Sequence, residues 1–186
     1  MQDRMPPIPV EKMTEAQRKA AAQFAEIRGS GIFGPYLPLL RSPELMLSAQ
    51  TMGEYLRYRS ALPRALNELA ILITARQWTQ QFEWSIHHQE AIRAGLRSDI
   101  AEAIAEGRRP ESMSGDEKIV YDFCTELHHN RCVSDRTYAR AVARFGEQGT
   151  IDMIGVAGYY TLLAMVLNTA RTPLPPGTPP PLAHLP

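Results

Sequence analysis

The chain has 186 residues, one domain's worth of sequence, and is long enough to bury a hydrophobic core without disulfide or metal staples. Hydrophobic residues make up 44% and charged residues 22%, which excludes a wholly disordered or collagen-like chain. Twenty Lys and Arg balance twenty Asp and Glu, so there is no diffuse positive field of the kind that nucleic-acid or anionic-membrane binders use.

Two cysteines, Cys124 and Cys132, are too few for a disulfide framework and lack zinc-ligand spacing, which fits a reducing cytoplasm. The opening Met1-Gln2-Asp3-Arg4-Met5-Pro6-Pro7 has no apolar core of a signal peptide, so a cytoplasmic location is expected. The longest apolar stretch, Ile151 to Leu167, carries Asp152 and Thr161 and falls short of the roughly 20 apolar residues that span a bilayer. It reads as a buried core helix, with no membrane partner.

Taken in order, the chain begins with a proline-bearing extended arm over residues 1–12. Thr14 with Gln17 forms a capping box that opens a helix to about Arg28, before Gly29 and Gly31. Gly31 to Pro38 reads as an irregular apolar loop. Ser42-Pro43 supplies an N-cap and a first-turn proline for a helix to about Arg59. Leu62-Pro63 starts another, to about Thr79; Gln80 to Ala94 follows, with Gly95 as its stop. Ser98 to Glu106 is a short helix ended by Gly107. Ser114 with Glu117 is a second capping box, for a helix to about His129. Ser134 to Phe145, before Gly146, and Thr150 to Ala170 complete eight segments. No alternating strand pattern survives beside them, so the expected class is all-α, with one helical domain over residues 13–171. Ten of the fifteen prolines lie at the two ends, and the tail over residues 172–186 should be extended, either loose or laid across a neighbouring surface.

The densest group of titratable side chains is Glu68 with the segment Gln80 to His88. Glu83 and His87 are four apart, so they meet on one helix face, and a carboxylate beside an imidazole favours the imidazolium and orients the ring. Glu68 lies on the preceding helix among Leu66, Leu69, Ala70, Leu72 and Ile73, where a carboxylate needs a partner. A hairpin between the two helices brings it to His87; a salt bridge to Arg64 or Arg76 is the plainer alternative. The four-residue spacing of Glu83 and His87 is also common in ordinary helix-surface pairs.

The segments Leu66 to Arg76, Glu83-Trp84 with His87, and Ala91 to Leu96 resemble the carboxymuconolactone decarboxylase family, which includes the alkyl-hydroperoxidase D-like proteins. The likeness covers roughly residues 20–170 and extends to Tyr121-Asp122-Phe123, Ala143 to Gly146 and Gly158-Tyr159-Tyr160. In the hydroperoxidase branch the motif is Glu, eleven residues, CxxC, three residues, His. Glu68 and His87 match its outer members, but Gln80 and Glu83 stand at the two cysteine positions. A dithiol peroxidase cycle needs a thiolate and a resolving partner, so it has no chemistry there, and Cys124 and Cys132 have the wrong spacing to replace them.

What remains resembles the decarboxylase side of the family, which acts on small lactone carboxylates without a cofactor. The resemblance then implies an alkyl-hydroperoxidase D-like fold and a homo-oligomer, a trimer or hexamer, with sites near subunit boundaries. In this reading, imidazolium His87 donates the proton that replaces carbon dioxide, Glu68 relays it and Glu83 holds the ring. An arginine should anchor a carboxylate, with Arg76, Arg57 and Arg59 as candidates. Phe33, Tyr36, Trp84 and Tyr159 are candidates for an apolar pocket wall. A thiol-type antioxidant enzyme and a non-catalytic small-molecule binder are the rival readings. Cys124 and His128 could be drawn with Glu83 and His87 as a metal site, but neither HExxH nor paired CxxC is present, and no metal is expected.

Overall fold

The run Leu66 to Arg76 is buried over eleven consecutive residues, and the rest of the chain is arranged around it. The protein, seen in a computed structural model, is described over residues 2–175 and 177–184. Among these every regular element is helical: α1 (Glu15–Arg28), α2 (Tyr36–Leu39), α3 (Pro43–Tyr58), α4 (Arg64–Gln77), α5 (Gln81–Arg93), α6 (Ser98–Ala105), α7 (Gly115–Asn130) and α8 (Asp135–Ala170). The fold is all-α.

Both expected capping boxes form. At α1 the Thr14 hydroxyl accepts from the Gln17 amide at 3.2 Å and the Gln17 side chain accepts from the Thr14 amide at 2.9 Å; Ser114 and Glu117 repeat the pair at α7. Ser42 does not cap α3. Its backbone lies at φ −126°, ψ 82°, whereas Thr14 and Ser114 sit near ψ 165–172°, the extended geometry that aims a hydroxyl into the first turn. Pro43 instead removes one of the orphan donors.

The eight helices divide the chain differently from the eight expected segments. The short α2 forms inside the loop expected to be irregular, and the last two expected segments run together as α8 but part where the sequence places the stop, at the non-helical Gly146 (φ 69°, ψ 176°). That backbone region suits glycine alone, so the chain bends there without leaving helical structure on either side.

α4 packs against α5, α7, α8 and α6, and α3 closes the bundle between α1 and α8. A helix buried over eleven consecutive residues needs neighbours on every side. The centre is filled by Leu69, Ile71, Leu72, Ile100, Phe123, Met153 and Val156, all fully buried. By length and composition α8 would also cross a membrane, but 56% of its apolar window is buried inside this bundle.

Both ends fold back. The Arg4 amide donates to the Ala170 carbonyl at 2.8 Å, Arg41 holds the Pro6 carbonyl, and Val10–Lys12 makes a single 3₁₀ turn in the arm expected to be extended. In the tail, the Leu182 amide and carbonyl both bond the Gln81 side chain, and Leu182 is buried. The tail is thus laid across its own α5. Pro176, Leu185 and Pro186, part of the same tail, lie outside the described residues.

Candidate active site

The α4–α5 connection sets the site. Three residues, Trp78 to Gln80, reverse the chain, with Thr79 at φ 45°, a rare conformation for a β-branched residue. Gln80 caps α5: its side-chain oxygen accepts from the Phe82 amide at 2.6 Å, while its nitrogen donates to Asn168 of α8 at 2.8 Å. The side chain at one of the two cysteine positions of the hydroperoxidase motif therefore works as a helix cap and cross-link.

The hairpin brings Glu68 of α4 to His87 of α5. The His87 Nδ1–H donates to a Glu68 carboxylate oxygen at 2.7 Å, and Nε2 lies 3.6 Å from a Glu83 oxygen. All three side chains are about 95% buried. Arg64, the plainer partner for Glu68, pairs with Glu90 at 2.5 Å instead. The distances reverse the expected division of labour. Glu68 makes the short bond that fixes the ring, and Glu83, too far for a hydrogen bond, faces the opposite nitrogen.

Burial pushes the Glu83 carboxyl up to about 6, although the His87 and Arg57 charges pull it down. The Tyr160 ring meets the imidazole edge-on, with centroids 4.9 Å apart, and burial raises its hydroxyl well above the ordinary range. Arg57 stays charged: burial opposes its positive form, but Tyr160, Tyr58, Glu68 and Glu90 outweigh that and raise its pKa.

Glu83, His87, Arg57 and Tyr160 line a cavity of about 40 Å³, walled further by Phe33, Tyr36, Tyr159 and Arg28. Tyr36 and Tyr159 share a hydroxyl hydrogen bond of 2.8 Å, and Arg28 donates to Tyr36 at 3.1 Å while lying over its ring. Arg57 has no hydrogen bond or ion pair of its own among the described residues, and its Nε is buried without a partner.

Of the side chains expected from the sequence, His87, Glu83, Phe33, Tyr36 and Tyr159 reach this cavity, and Glu68 stands behind the ring. Trp84 is buried but stacks on His88, away from the lining. Arg76 belongs elsewhere: it donates to the carbonyls of Ala105 and Ala183 and to Thr79, and lines a different cavity. Arg59 is exposed over Tyr55. Of the three arginines, only Arg57 faces the imidazole's cavity.

Arg28 and Tyr160 join the site from outside the residues that the sequence points to. Arg28 sits in the last turn of α1, where a cation ordinarily serves the helix dipole. Tyr160 follows Tyr159 by one residue on a helix, and only the burial of both rings shows that both serve one cavity. Cys124 is buried, its thiol pushed up to about 12 by desolvation, and Cys132 is exposed. Among the described residues, no three His, Cys, Asp or Glu side chains are grouped to hold a metal ion. No protein-family model matches the chain, and no curated protein matches it.

Proposed function

We propose that the protein is a cofactor-independent proton-transfer enzyme, a lyase that decarboxylates a small lactone carboxylate of the carboxymuconolactone type. The observation that carries this reading is a buried imidazole fixed by one carboxylate and close to another at a cavity whose wall also holds an arginine with no carboxylate partner among the described residues. Burial raises the Glu83 carboxyl to about 6, which brings its protonation closer to neutral pH than that of an ordinary carboxylate.

In this mechanism the bond from the lactone carbon to the carboxylate breaks and carbon dioxide leaves with neither of the bonding electrons. The pair spreads into the unsaturated ring, and the carbon is protonated from the His87 Nε2 and Glu83 side of the cavity. Glu68 keeps the Nδ1 proton in place and so fixes which nitrogen works. Arg57, which lies over the Tyr58 ring and has no carboxylate partner among the described residues, takes a spectator carboxylate or the developing enolate oxygen. A thiol peroxidase draws no support here, since the buried Cys124 is held as the unreactive thiol. The proposal includes a cytoplasmic homo-oligomer of three or six copies, for which the exposed Met52, Tyr58, Ile151 and Ile154 of α3 and α8 offer apolar surface.

The test is turnover of carboxymuconolactone and related lactone acids by the wild type and by His87→Gln, Glu68→Gln and Arg57→Gln, each checked for retained helicity. His87→Gln is expected to lower kcat by about 10²-fold or more. Glu68→Gln should lower kcat less, and Arg57→Gln should act mainly on KM. Full activity in His87→Gln overturns the assignment. A cavity of about 40 Å³ holds no more than a few waters, so either a substrate or a ligand held without turnover requires the part-exposed wall residues Phe33 and Ile86 to give way. A binder would keep most of its affinity in His87→Gln and turn over none of these acids.

A further inference from the structure

A second cavity of about 300 Å³ lies where α4, α6 and α7 meet the returning tail. Two arginines, Arg76 and Arg108, and three of the five histidines in the chain, His128, His129 and His184, line it, and none of the lining residues is acidic. Arg108 is engaged with its neighbour Glu106 on the exposed side, and the His129 ring meets the Gln77 side-chain oxygen at 3.0 Å. The His128 Nε2 lies 3.0 Å from the Thr74 hydroxyl.

Arg76 is the anomaly. It is only 5% exposed, yet every partner it has is neutral: the Ala105 carbonyl at 3.2 Å, the Ala183 carbonyl at 2.8 Å and the Thr79 hydroxyl at 2.9 Å. Its Nε has no partner, and no carboxylate pairs with it among the described residues. A buried guanidinium without a counter-charge is costly, and no acidic side chain lines the cavity to supply one, Glu106 being engaged with Arg108 on the exposed side. An anion in the cavity removes that imbalance.

We propose that this cavity binds a small multivalent oxyanion, the phosphate groups or clustered carboxylates of a metabolite. Arg76 supplies the buried charge, and Arg108, His129 and His184 supply contacts at the mouth. Because Arg76 also holds the Ala183 carbonyl and His184 lines the wall, the ligand and the tail share one site. Occupancy therefore pins the tail against the helices. This site is separate from the one at His87 and does not depend on the reaction proposed there.

Calorimetric titration of the full chain with pyrophosphate, and separately with citrate, at fixed ionic strength tests it. At least one anion is expected to bind saturably at one site per chain, and which one tells a phosphate ligand from a carboxylate ligand. The Arg108→Gln, His129→Gln double variant changes two exposed side chains and should weaken binding at least tenfold, whereas His87→Gln should leave it unchanged. Hydrogen exchange at Leu182 and Ala183 should slow in the presence of the anion that binds. No saturable binding of either anion, equal affinity in the double variant, or loss of binding in His87→Gln overturns the proposal.

Discussion

Glu83 occupies a position where burial and neighbouring charge oppose each other, and burial prevails, so its carboxyl titrates at about 6 against an ordinary value of 4.5. Below pH 4.5 both the folded and unfolded chains hold the proton. Between there and pH 6 the unfolded chain releases it first, so this residue's contribution to stability is present at low pH and lost as pH rises. The loss amounts to about 2 kcal/mol in all. Denaturant unfolding of the wild type and Glu83→Gln at pH 4.5 and pH 7 is expected to show the variant gaining most of that amount relative to the wild type at the higher pH. Parallel behaviour at the two values would show that Glu83 is not held in a desolvated place. At this scale the sequence was legible where spacing alone decides contact. Glu83 and His87 had to share a face, and Glu68 could be paired with them through a hairpin. Which carboxylate fixes the ring was not legible, because it turns on how α5 is placed against α4 after a turn with Thr79 at positive φ, a conformation no β-branched residue advertises.

Helix ends were readable wherever capping chemistry is local, as at Thr14 with Gln17 and Ser114 with Glu117. The short α2 was not, since Tyr36-Leu37-Pro38-Leu39 has neither cap nor periodicity and is held by burial of Tyr36 and Leu39. Contacts between helices far apart in sequence leave even less trace. Gly53 of α3 lets Tyr159 of α8 approach so closely that a Cβ at Gly53 would lie 2.2 Å from the Tyr159 hydroxyl oxygen. Gly53→Ala must therefore push Tyr159 off Tyr36 and open the α3–α8 contact. The expected cost is about 1–3 kcal/mol of stability, measured by denaturant midpoint, with Tyr159→Phe restoring part of it by shortening the ring. An unchanged midpoint in Gly53→Ala would mean that the two helices do not meet at this distance.

For the whole molecule, composition and the repeated starts and stops gave an all-α body with proline-rich ends, but the cavity at His87 draws on α1, α3, α5 and α8 together. Arg28, Arg57 and Tyr160 are separated by up to 132 positions, and no spacing rule joins them. The sequence leaves the tail open between loose and laid down, since proline fixes the backbone without choosing a surface; Leu182 makes the choice by burying itself beside Gln81. Leu182→Ala is expected to cost about 1–3 kcal/mol and to make the tail an early site of proteolysis. A midpoint and cleavage pattern matching the wild type would show that the tail is not docked.

The whole functional account depends on an imidazole held in one tautomer between two shielded carboxylates. Nitrogen-15 and proton NMR of the histidine-labelled protein reads that directly. The account requires a slowly exchanging, low-field proton on the Nδ1 of His87, shifted upfield or lost in Glu68→Gln, while Nε2 responds to Glu83→Gln. A rapidly exchanging ring, or one indifferent to both substitutions, would contradict it.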